Sequence, residues 1–521
     1  MWDLIRTACY KLISTVQLKS LLLQHASVAI FTNLNKAESM EDQLLENGEN
    51  SRWIITREWE TYYQELKKLT YIAAPMVAVS VLQYLLQVVS MMMAGHLDQI
   101  SLSSVAIATS ITNVSGFSLL SGLVGGLETL CGQAYGANQW QKVGTYTNSA
   151  VISLLLVSIP ISILWLFMDK LLIFMGQDPA ISVEASKYTI WLIPALFGGA
   201  ILRPLFRYLL IQSLILPMLL SAFLVVCLHI SLCWLFIFQL GLGKSGAAIA
   251  FSFSIWTFVA LLVLYISQSS SCEWTRTPLN RDAFLAIGQF FHYATPSALM
   301  VCLKWWSLEV LALLSGLLPN PKLETSVLSI CLTISALHFA LPYGLGTGAS
   351  TRVSNELGAG NPQKAQVAVR VAMILAVAET IVASTVTFLC REVLGKVYSN
   401  DQQVVDYVAA ITPFLCLSII TDSLQGVISG IARGSGWQIL GAYVNLGAFY
   451  LVGIPVAAVL CFYVNLKAKG LWIGLLVGTA IQATSLSFIL GFTDWQKQAI
   501  KAKQRLSEKR SSVENDLEGD E

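Results

Sequence analysis

From Tyr71 onward, long apolar runs alternate with short polar breaks. The runs fall near 71–94, 101–125, 145–168, 188–210, 213–240, 246–268, 284–316, 326–350, 366–390, 405–431, 437–463 and 470–491. A bilayer core is crossed by roughly 20 apolar residues in a helix. Lipid offers the backbone no hydrogen-bond partner, so each run predicts a membrane helix. The pattern therefore predicts an all-α membrane protein with twelve transmembrane helices. The chain before Tyr71 is heterogeneous. Residues 21–31 hold an apolar patch, but Gln24 and His25 interrupt it and it is too short to span. Met40-Glu-Asp-Gln-Leu-Leu reads as an acidic start, which makes residues 1–39 an extension, a mis-called start or a targeting peptide. Whether they belong to the mature protein stays open at this level.

The apolar pattern is repeated. Gly125-Gly-Leu-Glu-Thr-Leu-Cys-Gly-Gln-Ala-Tyr-Gly-Ala-Asn-Gln-Trp-Gln-Lys142 shares its plan with the stretch from Leu341 to Lys364. Gly136-Ala137 aligns with Gly358-Ala359, Thr129 with Thr351 and Gln141-Lys142 with Gln363-Lys364, all at one offset of 222. Pro75 and Gly95 match Pro296 and Gly316, Pro194 matches Pro413, and Gly246 matches Gly470. A repeat this long predicts two homologous six-helix lobes. An even helix count per lobe gives both the same orientation, with a pseudo-two-fold along the membrane normal. The divisions expected are an N-terminal cytoplasmic segment at 1–60, an N-lobe at 61–266, an inter-lobe linker at 267–282, a C-lobe at 283–492 and a cytoplasmic tail at 493–521.

Composition agrees with a lipid environment: 55% hydrophobic and 12% charged residues, with mean hydropathy +0.65. Soluble domains carry roughly twice that charged fraction. The net charge of +1 gives no reason to expect a nucleic-acid partner. Ten cysteines lie singly, without a CxxC pair, and read as packing residues. Five histidines, at 25, 96, 229, 292 and 338, show no metal spacing, and neither a metal nor a cofactor is implied. Basic residues favour the inner breaks, where Lys142, Arg203, Arg207, Arg276, Arg281, Arg352, Lys364, Arg370 and Arg433 lie, and the tail adds four more. This predicts both termini inside. Gly241-Leu-Gly-Lys-Ser-Gly lacks the preceding strand and the spacing of a phosphate loop.

Ionisable residues within spans are costly in lipid and so are default functional candidates. Asp422 lies mid-span in the tenth helix, with Gln425 on the same face at i+3. Lys304 and Glu309 lie in the seventh helix, five residues and roughly 140° apart. A lysine near mid-membrane needs an anion, and Asp422 is the candidate across the lobe. Such a pairing opposes protonation of the carboxylate. Glu379, in the ninth helix, reads as a contact with a neighbouring helix. Gln83, Gln87 and Asn113 are candidates to bind substrate in the N-terminal lobe, with helix–helix contact as the alternative. Tyr343, Gln425, Tyr443 and Asn445 are candidates for lining the C-terminal cleft. Glu128, Arg352 and Glu356 fall in inner turns at the membrane surface and read as a clasp for the inward-closed state. The tail from Lys497 to Glu521, basic then acidic, reads as a solvated helix and a disordered end.

Several long motifs in order resemble the multidrug and toxic compound extrusion (MATE) family, in its plant detoxification-type branch, over about residues 60–495. They are the stretch from Gln83 to Leu97, Glu128-Thr-Leu-Cys-Gly-Gln-Ala-Tyr-Gly-Ala137, Leu313 to Pro321, Ser350 to Pro362 and Ser429-Gly-Ile-Ala-Arg-Gly-Ser-Gly-Trp-Gln438. The resemblance implies a non-enzymatic efflux antiporter that exchanges organic solutes for protons. Its solutes would be cations, alkaloids or flavonoid-like compounds, and the carrier a monomer among membrane lipids. The plasma membrane and the vacuolar membrane are both open to it. Asp422 falls where the family has its proton-binding aspartate, and Glu309 where it has a second glutamate. Lys304 departs from the pattern, standing where the family usually has a glutamate, so weakened or altered proton coupling is a second reading. A lipid flippase of the same superfamily is a third, although it typically has a more cationic central cleft.

Overall fold

The computed structural model describes residues 49–315, 318, 321–399 and 401–518. The apolar patch at 21–31, the acidic start at Met40, Gly316 and the tip of the tail at 519–521 lie outside the described residues. The chain divides into two compact units, Met1–Glu65 and Leu66–Glu521.

Among the described residues, twelve helices are long and apolar enough to span a membrane. They are α1 Trp59–Gly95, α2 Ile100–Gly136, α3 Trp140–Leu166, α4 Pro179–Ile211, α5 Leu216–Gln239, α6 Gly243–Gln268, α7 Ile287–Ser315, α8 Leu323–Gly358, α9 Pro362–Leu389, α10 Gln402–Ser435, α11 Gln438–Tyr463 and α12 Lys467–Gly491. No β-strand occurs among the described residues. At most 50% of the apolar window of any span is buried within the protein, and many of the remaining apolar side chains point outward. Leu156, Ile163, Phe223, Ile381 and Leu451 are among these outward apolar side chains. Buried residues form one apolar core from Ile72 to Ala298 and a second from Leu311 to Leu475.

Helix ends follow from caps rather than from hydropathy. Asp178 accepts hydrogen bonds from the N–H groups of Ala180 and Ile181 at the start of α4, and Asp401 accepts one from Gln403 at the start of α10. Asp98 does the same for Ser101 N–H at the start of α2, which holds its carboxyl below the usual carboxylate range. Both α2 and α8 run past the ends expected from hydropathy, to Gly136 and Gly358. Their polar last turns are helical because they pack against other helices instead of facing water. The stretches holding Glu128, Arg352 and Glu356 are therefore helix and not surface turns.

The repeat is visible in the packing itself. A Cβ on Gly136 would meet the Asn355 carbonyl oxygen at 1.9 Å, and one on Gly358 would meet that of Gln133 at 2.0 Å. Gln133 and Asn355 stand in the same relation as the two glycines, so α2 and α8 cross reciprocally at the axis relating the repeats. Gln133 Nε2 donates to the Gly434 carbonyl of α10 at 3.3 Å, and Asn355 Nδ2 donates to the Ile211 carbonyl of α4 at 3.1 Å. One bond is thus made twice. Widened π-turns also recur, at Leu235–Gln239 in α5 and Val459–Tyr463 in α11.

The tail forms a further helix, α13 (Trp495–Glu518), and departs from its expected solvated state. Ala499, Ala502 and Leu506 repeat on one face and are buried. Lys142 Nζ donates to the Leu506 carbonyl at 2.8 Å. Arg505 Nη1 donates to Gln133 Oε1 and to the Ser435 carbonyl, each at 3.2 Å. An apolar stripe too narrow to register in composition is enough to dock the helix on the ends of α2 and α10.

Candidate functional site

Two groups of charges lie inside the bundle. The first is in the C-terminal half. Lys304 of α7 places Nζ 2.9 Å from Asp422 Oδ1 of α10, with side chains 12% and 16% exposed. The same ammonium donates to Gln425 Oε1 at 2.5 Å and lies 4.7 Å from the centre of the Phe339 ring. Gln425 is oriented in turn by donating from Nε2 to Ser429 Oγ at 2.7 Å. Asp422 and Gln425 meet the ammonium together because i and i+3 share a helix face. Lys304 therefore has an anion, an amide oxygen and an aromatic face, the surroundings a cation needs away from water.

Next to Asp422, Ser423 faces a second pair. Its hydroxyl donates to Glu379 Oε2 of α9 at 2.7 Å, and Glu379 Oε1 lies 3.0 Å from His338 Nε2 of α8. Sequence reasoning gave Glu379 a neighbouring helix without a partner. His338 could have been found as an isolated polar residue on an apolar helix, the same signal that singled out Asp422. Glu309 accepts from Ser110 Oγ of α2 at 2.9 Å and ties α7 to α2.

The second group joins four helices around one carboxylate. Glu128 of α2 is 3% exposed and accepts from Arg433 Nε of α10 at 3.0 Å and from Ser350 Oγ of α8 at 2.6 Å. Arg207 Nη2 of α4 lies 2.9 Å from Glu128 Oε1, as an ion pair off the hydrogen-bonding line. Thr129 Oγ1 donates to the Arg433 carbonyl at 2.5 Å and accepts from Gln438 Nε2 at 2.6 Å. One carboxylate thus joins α2, α4, α8 and α10. Arg352 pairs along its own helix with Glu356 at 2.6 Å, and Glu356 also accepts from Asn361 at 3.1 Å. Arg207 and Arg433, counted in the sequence only toward orientation, are buried partners of Glu128.

Several expected cleft residues lie elsewhere. Tyr343 does not face the C-terminal half: its hydroxyl accepts from Arg207 Nη2 at 3.1 Å, and it lines a cavity of about 190 Å³ with Gln83, Gln87, Arg203 and Arg207. The cause is the path of α8, which crosses the axis between the halves. Asn445 is buried and fully engaged, donating to the Met300 carbonyl of α7 and accepting from Gln482 of α12, each at 2.5 Å. It fastens helices rather than lining open space. Tyr443 precedes Asn445 by two residues, about 200° round the helix, and is 69% exposed. Its ring points away from the packed face. Asn113 accepts from Gln87 Nε2 at 3.3 Å. A larger groove of about 1070 Å³ lies beside α13 and the α2–α3 turn, away from the mid-span charges.

The family model for MatE matches residues 75–235 and again 296–459, one match on each repeat. The chain belongs to the MATE family. Protein DETOXIFICATION 3 of Arabidopsis thaliana is 53% identical over 442 residues, covering 85% of this chain and 93% of that protein. Protein DETOXIFICATION 12 of Arabidopsis thaliana is 49% identical over 477 residues, covering 91% of this chain and 99% of that protein. The crystal structure of the eukaryotic MATE transporter AtDTX14 superposes with a TM-score of 0.83 at 50% identity, covering 85% of this chain and 99% of that one. This MATE chain is an integral multi-pass membrane protein of the efflux-transporter type.

Proposed function

We propose that this MATE chain exchanges organic solutes for protons by alternating access, with the Lys304–Asp422 contact as its coupling element. One observation carries the reading: mid-span on the C-terminal half, α10 holds two adjacent residues that each engage an ionisable pair, Lys304–Asp422 and, through Ser423, Glu379–His338. An unpaired charge is costly in a low-dielectric interior, so neither carboxylate can stand alone. Asp422 accommodates either the ammonium of Lys304 or a proton. A proton arriving at Asp422 frees Lys304 and loosens the tie between α7 and α10. Return of Lys304 expels the proton. Glu379 of α9 and His338 of α8 supply a second ionisable pair, met by Ser423 on the same turn of α10.

The closure at Glu128 supports the alternating-access half of the proposal. Opening that end requires Glu128 to part from Arg433 and Gln133 from Gly434, contacts that join the two repeats. Transport in proteoliposomes with an imposed pH gradient and a trapped pH-sensitive dye tests the exchange. Solute movement is expected to be accompanied by opposite proton movement; solute flux without it contradicts the proposal. The Lys304→Glu variant should depend more steeply on the gradient than wild type, because no internal cation then competes with the proton. Identical responses would leave Lys304 as a side chain that merely reaches for water within the cavity.

A further inference from the structure

We infer that the cavity in the N-terminal half is a site for the anionic end of an organic solute, with Arg203 as its anchor. The inference rests on the reading that the chain carries organic solutes. Arg203 of α4 lines it, and its Nε donates to Ser121 Oγ of α2 at 2.8 Å. The guanidinium lies 5.5 Å from the centre of the Phe117 ring. It folds back over Gly199, where a Cβ would stand 2.5 Å from Nη1. The side chain is thus positioned by a hydroxyl, a ring and the absence of a side chain one turn away. Among the described residues no carboxylate pairs with it, and neither Nη atom donates to a protein acceptor.

Arg207, four residues on, shows the contrast. It lines the same cavity, but it pairs with Glu128, which it shares with Arg433, and Tyr343 accepts from it. Among the described residues, neither an aspartate nor a glutamate lines the cavity. The local balance is therefore positive, with donors of Arg203 in a fork that suits a carboxylate, sulfate or phosphate. A cationic solute would enter against that charge with nothing to pair it. The rest of the wall is largely apolar, including Phe206, Phe251, Ile255 and Phe258. This suits an organic body more than a bare inorganic ion. The cavity therefore favours solutes that carry an acid group over the cations and alkaloids that the resemblance implied.

An anion at Arg203 has two sources, a solute or chloride from the medium, and equilibrium binding separates them. The full chain, purified in uncharged detergent and chloride-free gluconate buffer, is titrated by calorimetry with 2-naphthoate, with 2-naphthylmethylammonium and with chloride. Wild type is expected to bind naphthoate at least tenfold more tightly than either of the others, about 1.4 kcal/mol. Arg203→Gln should remove that preference, and Arg203→Lys should keep most of it. Equal or tighter binding of the ammonium, chloride binding as tight as naphthoate, or unchanged naphthoate affinity in Arg203→Gln would each overturn the inference. The preference of the wild-type protein decides the matter even if a variant fails to fold. No proton gradient enters the assay, so its outcome is separate from that of the exchange proposal.

Discussion

Asp422→Asn is expected to lower transport roughly tenfold or more while the protein still reaches the membrane, because the variant loses both roles of the carboxylate. An amide binds no proton at this position, and it does not neutralise Lys304. The ammonium is left with Gln425 and the Phe339 ring. Removing one partner of a fully buried ion pair costs about 3–5 kcal/mol. The cost here is smaller, since the two side chains keep 12% and 16% exposure. Folding should therefore survive while turnover does not. Initial rates in proteoliposomes, normalised to reconstituted protein, check the expectation. A wild-type rate from Asp422→Asn would refute it.

Glu128→Gln should have the largest effect on stability. The substitution keeps the shape and can still accept from Ser350, but it leaves Arg207 and Arg433 without their shared counter-charge. Both arginines are under a tenth exposed and Glu128 is 3% exposed, so little solvent screens the loss. An uncompensated buried charge is destabilising by about 3–5 kcal/mol. The detergent-solubilised variant should melt several degrees lower than wild type. Backbone amides of 126–136 and 429–435 should exchange with deuterium faster, because the closed end has lost its central tie. Unchanged melting and unchanged exchange would show that the clasp does not hold the bundle shut.

Much of this architecture is legible in the sequence for simple reasons. Apolar runs of spanning length have only one backbone solution in lipid, so the helices follow from composition. The repeat is marked by Gly136 and Gly358, which sit where two backbones touch and no other residue fits. The Lys304–Asp422 contact is legible because a lysine inside a span requires an anion and few are on offer. Other features depend on tertiary geometry that spacing does not reveal. Arg207 and Arg433 lie near helix ends in the sequence and look like ordinary inner-side charges; only the crossing of α2 with α8 brings Glu128 between them. Tyr343 belongs to the second repeat yet faces the cavity of the first, since α8 passes the axis between them. Asn445 is as polar as a cleft residue, but its two bonds to neighbouring helices consume it.

A double-mutant cycle on transport rate and melting temperature measures the coupling between Lys304 and Asp422. The members are wild type, Lys304→Met, Asp422→Asn and the double variant. A paired arrangement predicts that each single change lowers stability more than the double change does, since a lone buried charge is the costly state. The interaction energy should be about 1 kcal/mol or more. It also predicts that the double variant, although better folded than either single, transports without a response to an imposed pH gradient. Losses that simply add, or a double variant that keeps the wild-type gradient response, would contradict the account.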